Sequence, residues 1–401
     1  MELKEPIRVL LIPSSDYLGH PFPQRHNHLF ERLHDRERFE VHVVRFSIFG
    51  KPKLETRCVI HEIPLEFKAS KTAVYYLTNI ASYTSEVVRI VKRESIDVVV
   101  AGNLLPPLTY SVVLKLMEKR IPFVFDLQDY YPTSAAGYIV DVDSFAGTLV
   151  KGVFEAMTQY LVRVADYVTM PGIALAMYAR EVGAKNVQII PNGISEHFLQ
   201  LYDGSKIRRE LGFDKNDLVV GYIGSIEFWL DMEPLLSAVS TLHKQGKPIK
   251  LLIVGKHLQT GYSRKVRLWI KKYSIEKVTT WLDFIPHQKV PEYIAAIDVG
   301  TIPFNAKNPT AYYAAPNKLW EYLSQRKLVL STPIPEALIN KDYIFIVGDE
   351  HDYAYLFKEF LSGARSKWVG VVEKGYRKLK ERTWHRSVQN LANLLIKVVK
   401  K

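Results

Sequence analysis

Short runs filled almost continuously with Val, Ile and Leu alternate with helix-length segments along the chain, in two series separated by the polar stretch Tyr202–Asp217. Runs with no polar alternation read as strands buried on both faces, which a parallel sheet covered by helices provides. The first series predicts strands over Arg8–Pro13, Glu40–Phe46, Asp97–Ala101, Phe123–Leu127, Tyr167–Met170 and Val187–Ile190. Helices are expected between them at Gln24–His34, Ala73–Arg93, Thr109–Lys119 and Ala174–Val182. The second series predicts strands over Leu218–Ile223, Lys250–Val254, Val278–Leu282, Val299–Pro303, Leu328–Ser331 and Tyr343–Val347, with helices such as Glu233–Gln245 and Pro316–Leu323. In the latter, Pro falls in the first turn, where a missing N–H matters little.

With 401 residues, the chain exceeds the roughly 250–300 residues at which single cores split. The expected architecture is therefore α/β, with two Rossmann-like domains whose parallel sheets face each other across a cleft. The boundaries read as 1–200, 201–375 and a C-terminal amphipathic helix at 376–401 that packs back on the N-terminal domain. Val388, Leu391, Leu395 and Val398 near helical spacing carry that last expectation.

Hydrophobic residues at 47% and charged residues at 24% describe a globular chain. The best candidates for a membrane span, Val98–Leu116 and Gly137–Phe154, are broken by Pro106, Pro107, Asp141 and Asp143. The N-terminus carries acidic residues and runs into a strand, unlike a signal peptide, so a cytoplasmic location is expected. Cys58 is the only cysteine, which excludes an intramolecular disulfide and a thiolate metal cluster. The net charge of +12 calls for an anionic partner: nucleic acid, an anionic membrane surface or a phosphorylated substrate. Its C-terminal clusters, Lys374–Arg382 and Lys397–Lys401, also read as ordinary solvated helix faces.

Ligands of open α/β sheets sit outside the carboxyl ends of the strands, so strand-to-helix loops hold the candidate chemistry. The segment Ala315–Tyr322 (APNKLWEY) opens a helix whose first amides, with Lys318 in the first turn, suit a diphosphate. Glu321 in the second turn can accept paired hydrogen bonds from neighbouring sugar hydroxyls. An ordinary capped helix is the plain alternative.

Pro316–Tyr322 followed by Lys327–Thr332 (PNKLWEY and KLVLST) resembles the donor-binding segment of glycosyltransferase family 4, retaining enzymes of the GT-B fold. Val187–Gly193 (VQIIPNG), Val219–Ser225 (VVGYIGS), Leu252–Gly255 (LIVG) and Asp283–His287 (DFIPH) resemble other segments of that family, in the same order. The resemblance implies donor contacts at Gly19, Gly224, Ser225, Lys256, Ile285, Tyr313, Pro316, Asn317, Lys318, Leu319 and Glu321. Glu321 would hold the ribose, Gly224 and Ser225 would lie near the phosphates, and Ile285 would flank the base. The Asn192-Gly193 turn would lie near a hinge that closes on the donor.

Two departures stand out. The family usually shows a glutamate where this chain has Tyr313, so that Asn305 or Asn317 takes over part of that contact. The Arg and Lys that commonly follow the glycine loop are missing from Ser225–Asp231, which leaves Lys318, Lys256 and backbone amides to hold the phosphates.

In the first half, Ser14–His20 keeps only Gly19 of the glycines expected after the first strand. His20 and Arg25 are candidates for acceptor contacts, with Arg25 meeting an acceptor phosphate or simply facing solvent. Phe125–Pro132 puts two carboxylates at the end of a buried strand. Enzymes that this chain resembles carry a His or Asp in this loop, and the resemblance implies Asp129 first and Asp126 second as the catalytic groups; a carboxylate there can orient or deprotonate the attacking hydroxyl. Either can instead cap the following turn.

Asp141-Val142-Asp143 matches a short metal-binding pattern of other glycosyltransferases but reads as a polar loop. The 12 histidines show no ligand spacing, and neither a metal nor a cofactor is expected. Pro13–Gly19 lacks the Gly-x-Gly-x-x-Gly pattern of nicotinamide sites.

The expected function is retaining transfer of a hexose-type sugar from a nucleotide diphosphate donor to a glycan or lipid-linked glycan. Such an enzyme would serve polysaccharide or N-glycan biosynthesis in the cytoplasm or peripherally on the inner face of a membrane, where Tyr75, Tyr76, Tyr130 and Tyr131 suit lipid contact, or else serve as core or sugar-stacking groups. Nucleic acid is not the expected partner. The alternatives are a sugar-nucleotide epimerase or hydrolase of the same fold, and a non-catalytic glycan- or nucleotide-binding protein.

Overall fold

The computed structural model describes residues 5–46, 52–63, 77–103, 105–137, 139–140, 144–255, 261–363 and 365–400, with backbone alone at 365–367. Lys256, Tyr75, Tyr76 and Asp141–Asp143 lie outside the described residues.

The chain forms two compact units, 1–193 with 384–401, and 194–383. In the first, strands β1 (Ile7–Ile12), β2 (Phe39–Arg45), β3 (Val59–Glu62), β4 (Val98–Gly102), β5 (Phe123–Asp126), β6 (Tyr167–Met170) and β7 (Val187–Ile189) build one sheet in the order β3-β2-β1-β4-β5-β6-β7. All its pairings are parallel, and β1, β4, β5 and β6 are almost wholly buried, as their continuous apolar runs require. The strand order reverses between β1 and β4, so the loops after these strands flank the position where such sheets take ligands.

The second unit repeats the plan. Strands β8 (Leu218–Ile223), β9 (Ile249–Val254), β10 (Thr279–Leu282), β11 (Val299–Ile302), β12 (Leu328–Ser331) and β13 (Phe345–Ile346) pair in the order β10-β9-β8-β11-β12-β13, again all parallel. Its reversal falls between β8 and β11.

Most expected elements are present with small shifts of their ends; the helix expected at Ala73–Arg93 runs Ile80–Arg93, with residues 73–76 outside the described residues, and three further features differ. The edge strand β3 escapes the sequence pattern because its side chains are exposed or half-buried, without the apolar run of its neighbours. A 20-residue helix, Phe145–Val164, follows the segment read only as a polar loop; Ser144 caps it by accepting from the Gly147 N–H at 3.0 Å. The terminal helix is two helices. Arg365–Lys378 belongs to the second unit and Trp384–Val399 to the first. The latter buries Val388, Leu391, Leu395 and Val398, and stacks Trp384 on His28 at 4.5 Å.

The chain therefore passes between the units at 193–194 and again at 383–384 rather than once near residue 200. The polar stretch after Tyr202 is part of the second unit. Arg208 fastens it to the Asp217 carbonyl at 2.7 Å and to the Asp298 carboxylate at 3.2 Å.

Candidate functional site

In the second unit, Pro316 caps the helix Asn317–Ser324 rather than opening its first turn, so Lys318 still stands in the first turn and Glu321 in the second. Leu319, fully buried, turns into the core and anchors the helix, and Lys318 projects about 100° around the helix from it. The Lys318 ammonium lies 5.1 Å from the centre of the Phe304 ring and 5.5 Å from that of Tyr222. Phe304 follows β11 and Tyr222 belongs to β8, so Lys318 stands at the strand-order reversal of this sheet.

Its neighbour there is the glycine loop. Gly224 has φ +150° and Gly255 has φ +145°, and a β-carbon on Gly255 would overlap the Gly224 carbonyl oxygen. Glycine is required at both positions, which lets the ends of β8 and β9 close on one another. The Gly224 N–H donates to Val254 O at 2.9 Å and the Gly255 N–H to Leu282 O at 2.8 Å. The Tyr222 hydroxyl donates to the Ser225 carbonyl at 2.6 Å and fixes the turn.

Lys318 and Glu321 are both half-buried, and among the described residues no hydrogen bond or ion pair engages either charged group. Burial lowers the Lys318 ammonium, with Glu321 opposing. It raises the Glu321 carboxyl to about 7, with Lys318 opposing. Such groups are costly to leave without partners, so a cation and a carboxylate held this way are prepared for an incoming polar ligand.

Ile285 is half-buried in the loop after β10, next to the exposed Phe284. Asn317 is exposed at the helix start and Pro316 is buried. Tyr313 ends the short helix Pro309–Tyr312, edge-on to Tyr312 at 5.1 Å. Asn305 accepts from the Lys307 N–H at 3.0 Å, so part of its capacity is already used.

A depression of about 640 Å³ lined by Lys215, Lys247 and Lys358 lies before β8 and β9, at the amino ends of these strands. That is the wrong end of the sheet for the ligand position described above.

In the first unit the two candidate carboxylates separate. Asp126 is buried: Arg25 donates to it from Nε and Nη2, both at 3.0 Å, Thr169 Oγ1 donates at 2.7 Å, and Gln128 Nε2 at 3.2 Å. The Ser14 N–H donates to His26 Nδ1 at 3.3 Å, which leaves the proton on Nε2 to donate to Asp126 at 3.0 Å. Burial alone would raise the Asp126 carboxyl, but the Arg25 charge and the hydrogen bonds of His26 and Arg25 hold it far below the usual range. A carboxylate so fully engaged is an anchor, with little basicity for deprotonating an acceptor.

The same geometry corrects the reading of Arg25. Its guanidinium is buried, and Nη1 also donates to the Ile190 carbonyl and the Asn192 side chain, both at 2.8 Å. It ties the ends of β5 and β7 together and is not presented to an acceptor phosphate.

Asp129 remains exposed beyond β5. Its loop is braced by Asn103, which accepts from the Gln128 N–H at 3.0 Å and donates to the Asp129 carbonyl at 3.1 Å. Desolvation by surrounding protein raises the Asp129 carboxyl, with Arg25 opposing and Asp126 adding. His20 is half-buried, with its Nε2 3.0 Å from Ser15 Oγ, and desolvation lowers its pKa. Gly19 closes a turn by donating to Asp16 O at 3.3 Å, and Asp16 is itself locked to Arg45 at 2.7 Å.

Tyr130 is not an exposed lipid contact: its hydroxyl donates to Glu155 at 2.6 Å and its ring meets Tyr178 edge-on. Asn103, Phe304 and Tyr222 were not singled out from sequence, because each acts through a loop or strand distant along the chain. Among the described residues no group of three His, Cys, Asp or Glu is placed to hold a metal ion.

Residues 203–367, most of the second unit, match the model of the family Glycosyl transferases group 1, and the chain is a glycosyltransferase of the GT-B fold. Its structure is similar to that of sucrose-phosphate synthase from Thermosynechococcus elongatus, at 15% identity, TM-score 0.76, over 98% of this chain and 99% of that one. It is also similar to HepE of Anabaena in complex with UDP-glucose, at 16% identity, TM-score 0.72, over 98% and 100%. WaaG, a glycosyltransferase involved in lipopolysaccharide biosynthesis, is similar at 14% identity, TM-score 0.68, over 97% and 99%. No curated protein matches the sequence at significant similarity.

Proposed function

We propose that this glycosyltransferase moves a hexose-type sugar from a nucleoside diphosphate donor to a hydroxyl of a glycan or lipid-linked glycan, with retention of configuration and without a metal. One observation carries the donor assignment. Lys318 and Glu321 stand on one helix at the strand-order reversal of the second sheet, Lys318 against Gly224, and among the described residues no hydrogen bond or ion pair engages either charged group.

Lys318 and the amides of its turn receive the diphosphate, whose charge grows as the sugar departs. Glu321 accepts from the ribose hydroxyls, Gly224 and Ser225 let the backbone approach the phosphates, and Ile285 borders the base. The structure of HepE with UDP-glucose supports a uridine nucleotide as the first donor to try. Asp129 is the carboxylate for orienting the acceptor hydroxyl, since Asp126 is committed to Arg25.

The net charge of +12 and the likeness to WaaG favour an acceptor in lipopolysaccharide-like or other lipid-linked glycan, used at the inner face of a membrane.

The test is a thermal-shift panel of nucleotide sugars on the wild type and Glu321→Ala, since a ligand of the folded state raises its stability. A nucleoside diphosphate sugar that stabilises only the wild type supports the assignment, and equal shifts in both proteins remove Glu321 from the site. Turnover of that donor with no acceptor present would indicate an epimerase or hydrolase instead.

A further inference from the structure

The helix Phe145–Val164 presents to solvent a face that ordinary surface helices keep polar. Gly147, Phe154, Thr158, Leu161 and Val162 are buried on its inner side. Its outer side over the first three turns carries Phe145, Leu149, Val153 and Ala156, all exposed, with Phe145 81% exposed, Leu149 56% and Val153 51%. Its one acidic residue, Glu155, is turned away from that face by the Tyr130 and Tyr178 hydroxyls, which donate to it at 2.6 and 2.7 Å.

The apolar surface continues onto the neighbouring helix Pro106–Met117, where the Tyr160 hydroxyl meets Met117 Sδ at 3.5 Å and Met117 is itself 46% exposed. Lys115, Lys119 and Arg120 are exposed at this end, with Lys151 on the helix itself. Glu118, exposed between Met117 and Lys119, pairs with Lys115 at 3.0 Å, which leaves Lys119, Arg120 and Lys151 as the cations bordering the strip. An apolar strip with cations at its edge matches the headgroup boundary of an anionic bilayer, with apolar side chains in the acyl region and the cationic groups at the phosphates. No helix among the described residues is long and apolar enough to cross a membrane.

We infer that the outer face of the Phe145–Val164 helix, with the adjoining end of Pro106–Met117, is the surface by which this protein lies on an anionic lipid bilayer. The inference gives the membrane reading above a location. It does not use the donor site, and its test reads binding rather than sugar transfer, so either assignment can fail alone.

The full chain is sedimented at low salt with phosphatidylcholine vesicles and with mixed phosphatidylcholine and phosphatidylglycerol vesicles. The wild type pellets with the mixed vesicles, and Phe145→Ser combined with Leu149→Ser lowers its partition coefficient at least roughly tenfold. Leu268→Ser, at a residue 66% exposed in the second unit, leaves partitioning unchanged.

A Val153→Cys variant labelled with an environment-sensitive fluorophore shifts to the blue with mixed vesicles, while a labelled Leu268→Cys does not. This arm stands even if the double variant fails to fold. The inference is overturned if the wild type stays in the supernatant, if the folded double variant pellets equally, or if the label at position 153 does not respond. It is also overturned if sedimentation velocity without lipid shows a dimer that the double variant converts to monomer, because the face then covers a second copy.

Discussion

Lys318 lies against the bare α-carbon of Gly224: a β-carbon there would stand 2.9 Å from Cε and 3.0 Å from Nζ of the lysine. The flexible end of Lys318 can move aside from such a β-carbon, whereas the φ of +150° at Gly224 is what requires glycine. Gly224→Ala is therefore expected to displace the ammonium and raise the donor Kd about tenfold or more, a change of roughly 1.4 kcal/mol. Isothermal titration with the nucleotide sugar selected by the stability panel measures it, and an unaltered Kd would separate the glycine loop from donor binding.

Lys318→Ala removes the charge and keeps the loop. A hydrogen bond to a charged group contributes about 1.5–3 kcal/mol, so loss of this one raises the donor Kd roughly tenfold to a hundredfold. The effect should be larger for a nucleoside diphosphate sugar than for the nucleoside monophosphate, and equal losses for both would place Lys318 away from the terminal phosphate.

Glu321 links donor binding to pH. Burial raises its carboxyl to about 7 in the free protein, and accepting ribose hydroxyls requires the ionised form. Donor affinity should therefore rise between pH 6 and pH 8 with release of a proton, and titration in two buffers of different ionisation enthalpy reads that proton. For stability the sign is opposite. A carboxyl with a raised folded pKa contributes stability that is present below its unfolded value and lost as pH rises through about 7. Glu321→Gln should accordingly raise Tm at pH 8 relative to wild type and leave it nearly unchanged at pH 4. A difference independent of pH would mean that Glu321 is not the titrating group.

Asp126 and Asp129 should respond differently to amide substitution. Asp126→Asn leaves the buried Arg25 without its counter-charge, and breaking a buried pair costs about 3–5 kcal/mol. Loss of cooperative folding in the first unit, read by circular dichroism and limited proteolysis, is the expected result. Asp129→Asn changes an exposed side chain, so Tm should hold while kcat falls by roughly two orders of magnitude if the carboxylate assists the acceptor hydroxyl. Full activity in a folded Asp129→Asn enzyme would remove it from the reaction.

These two carboxylates show where sequence reading stops. Both stood out because charge at the end of a buried strand is unusual, yet only the fold brings Arg25 to Asp126 across 101 positions of chain. For the same reason the sequence offers Arg25 only an acceptor phosphate or solvent, and not its buried pair with Asp126. The strands were readable because β1, β4, β8 and β11 are buried on both faces and need continuous apolar runs. The Phe145 helix was not, because its outer face is apolar too and blurs the helical period that separates inside from outside. Lys318 and Glu321 were accessible from sequence since helix phase alone fixes their turns, whereas the rings of Phe304 and Tyr222 beside Lys318 depend on strand order. The second passage of the chain was hidden because the apolar spacing at Val388–Val398 marks an amphipathic helix without showing that it begins only at Trp384.

That second passage leads to the last prediction. Gly193 and Trp384 pack where the two passages run side by side, with the Ile194 N–H donating to the Arg382 carbonyl at 2.8 Å. A β-carbon on Gly193 would overlap the Trp384 backbone nitrogen and lie 2.7 Å from its Cα, and backbone cannot swing aside as a flexible side chain can. Moving Trp384 would also disturb its stack on His28 and the Ser387 hydroxyl bond to the Pro191 carbonyl at 2.6 Å. Gly193→Ala should therefore destabilise the first unit by about 1–3 kcal/mol, the usual cost of overpacking, and lower Tm by several degrees in differential scanning calorimetry. An unchanged Tm would mean that the 383–384 passage relaxes freely and does not hold the terminal helix in place.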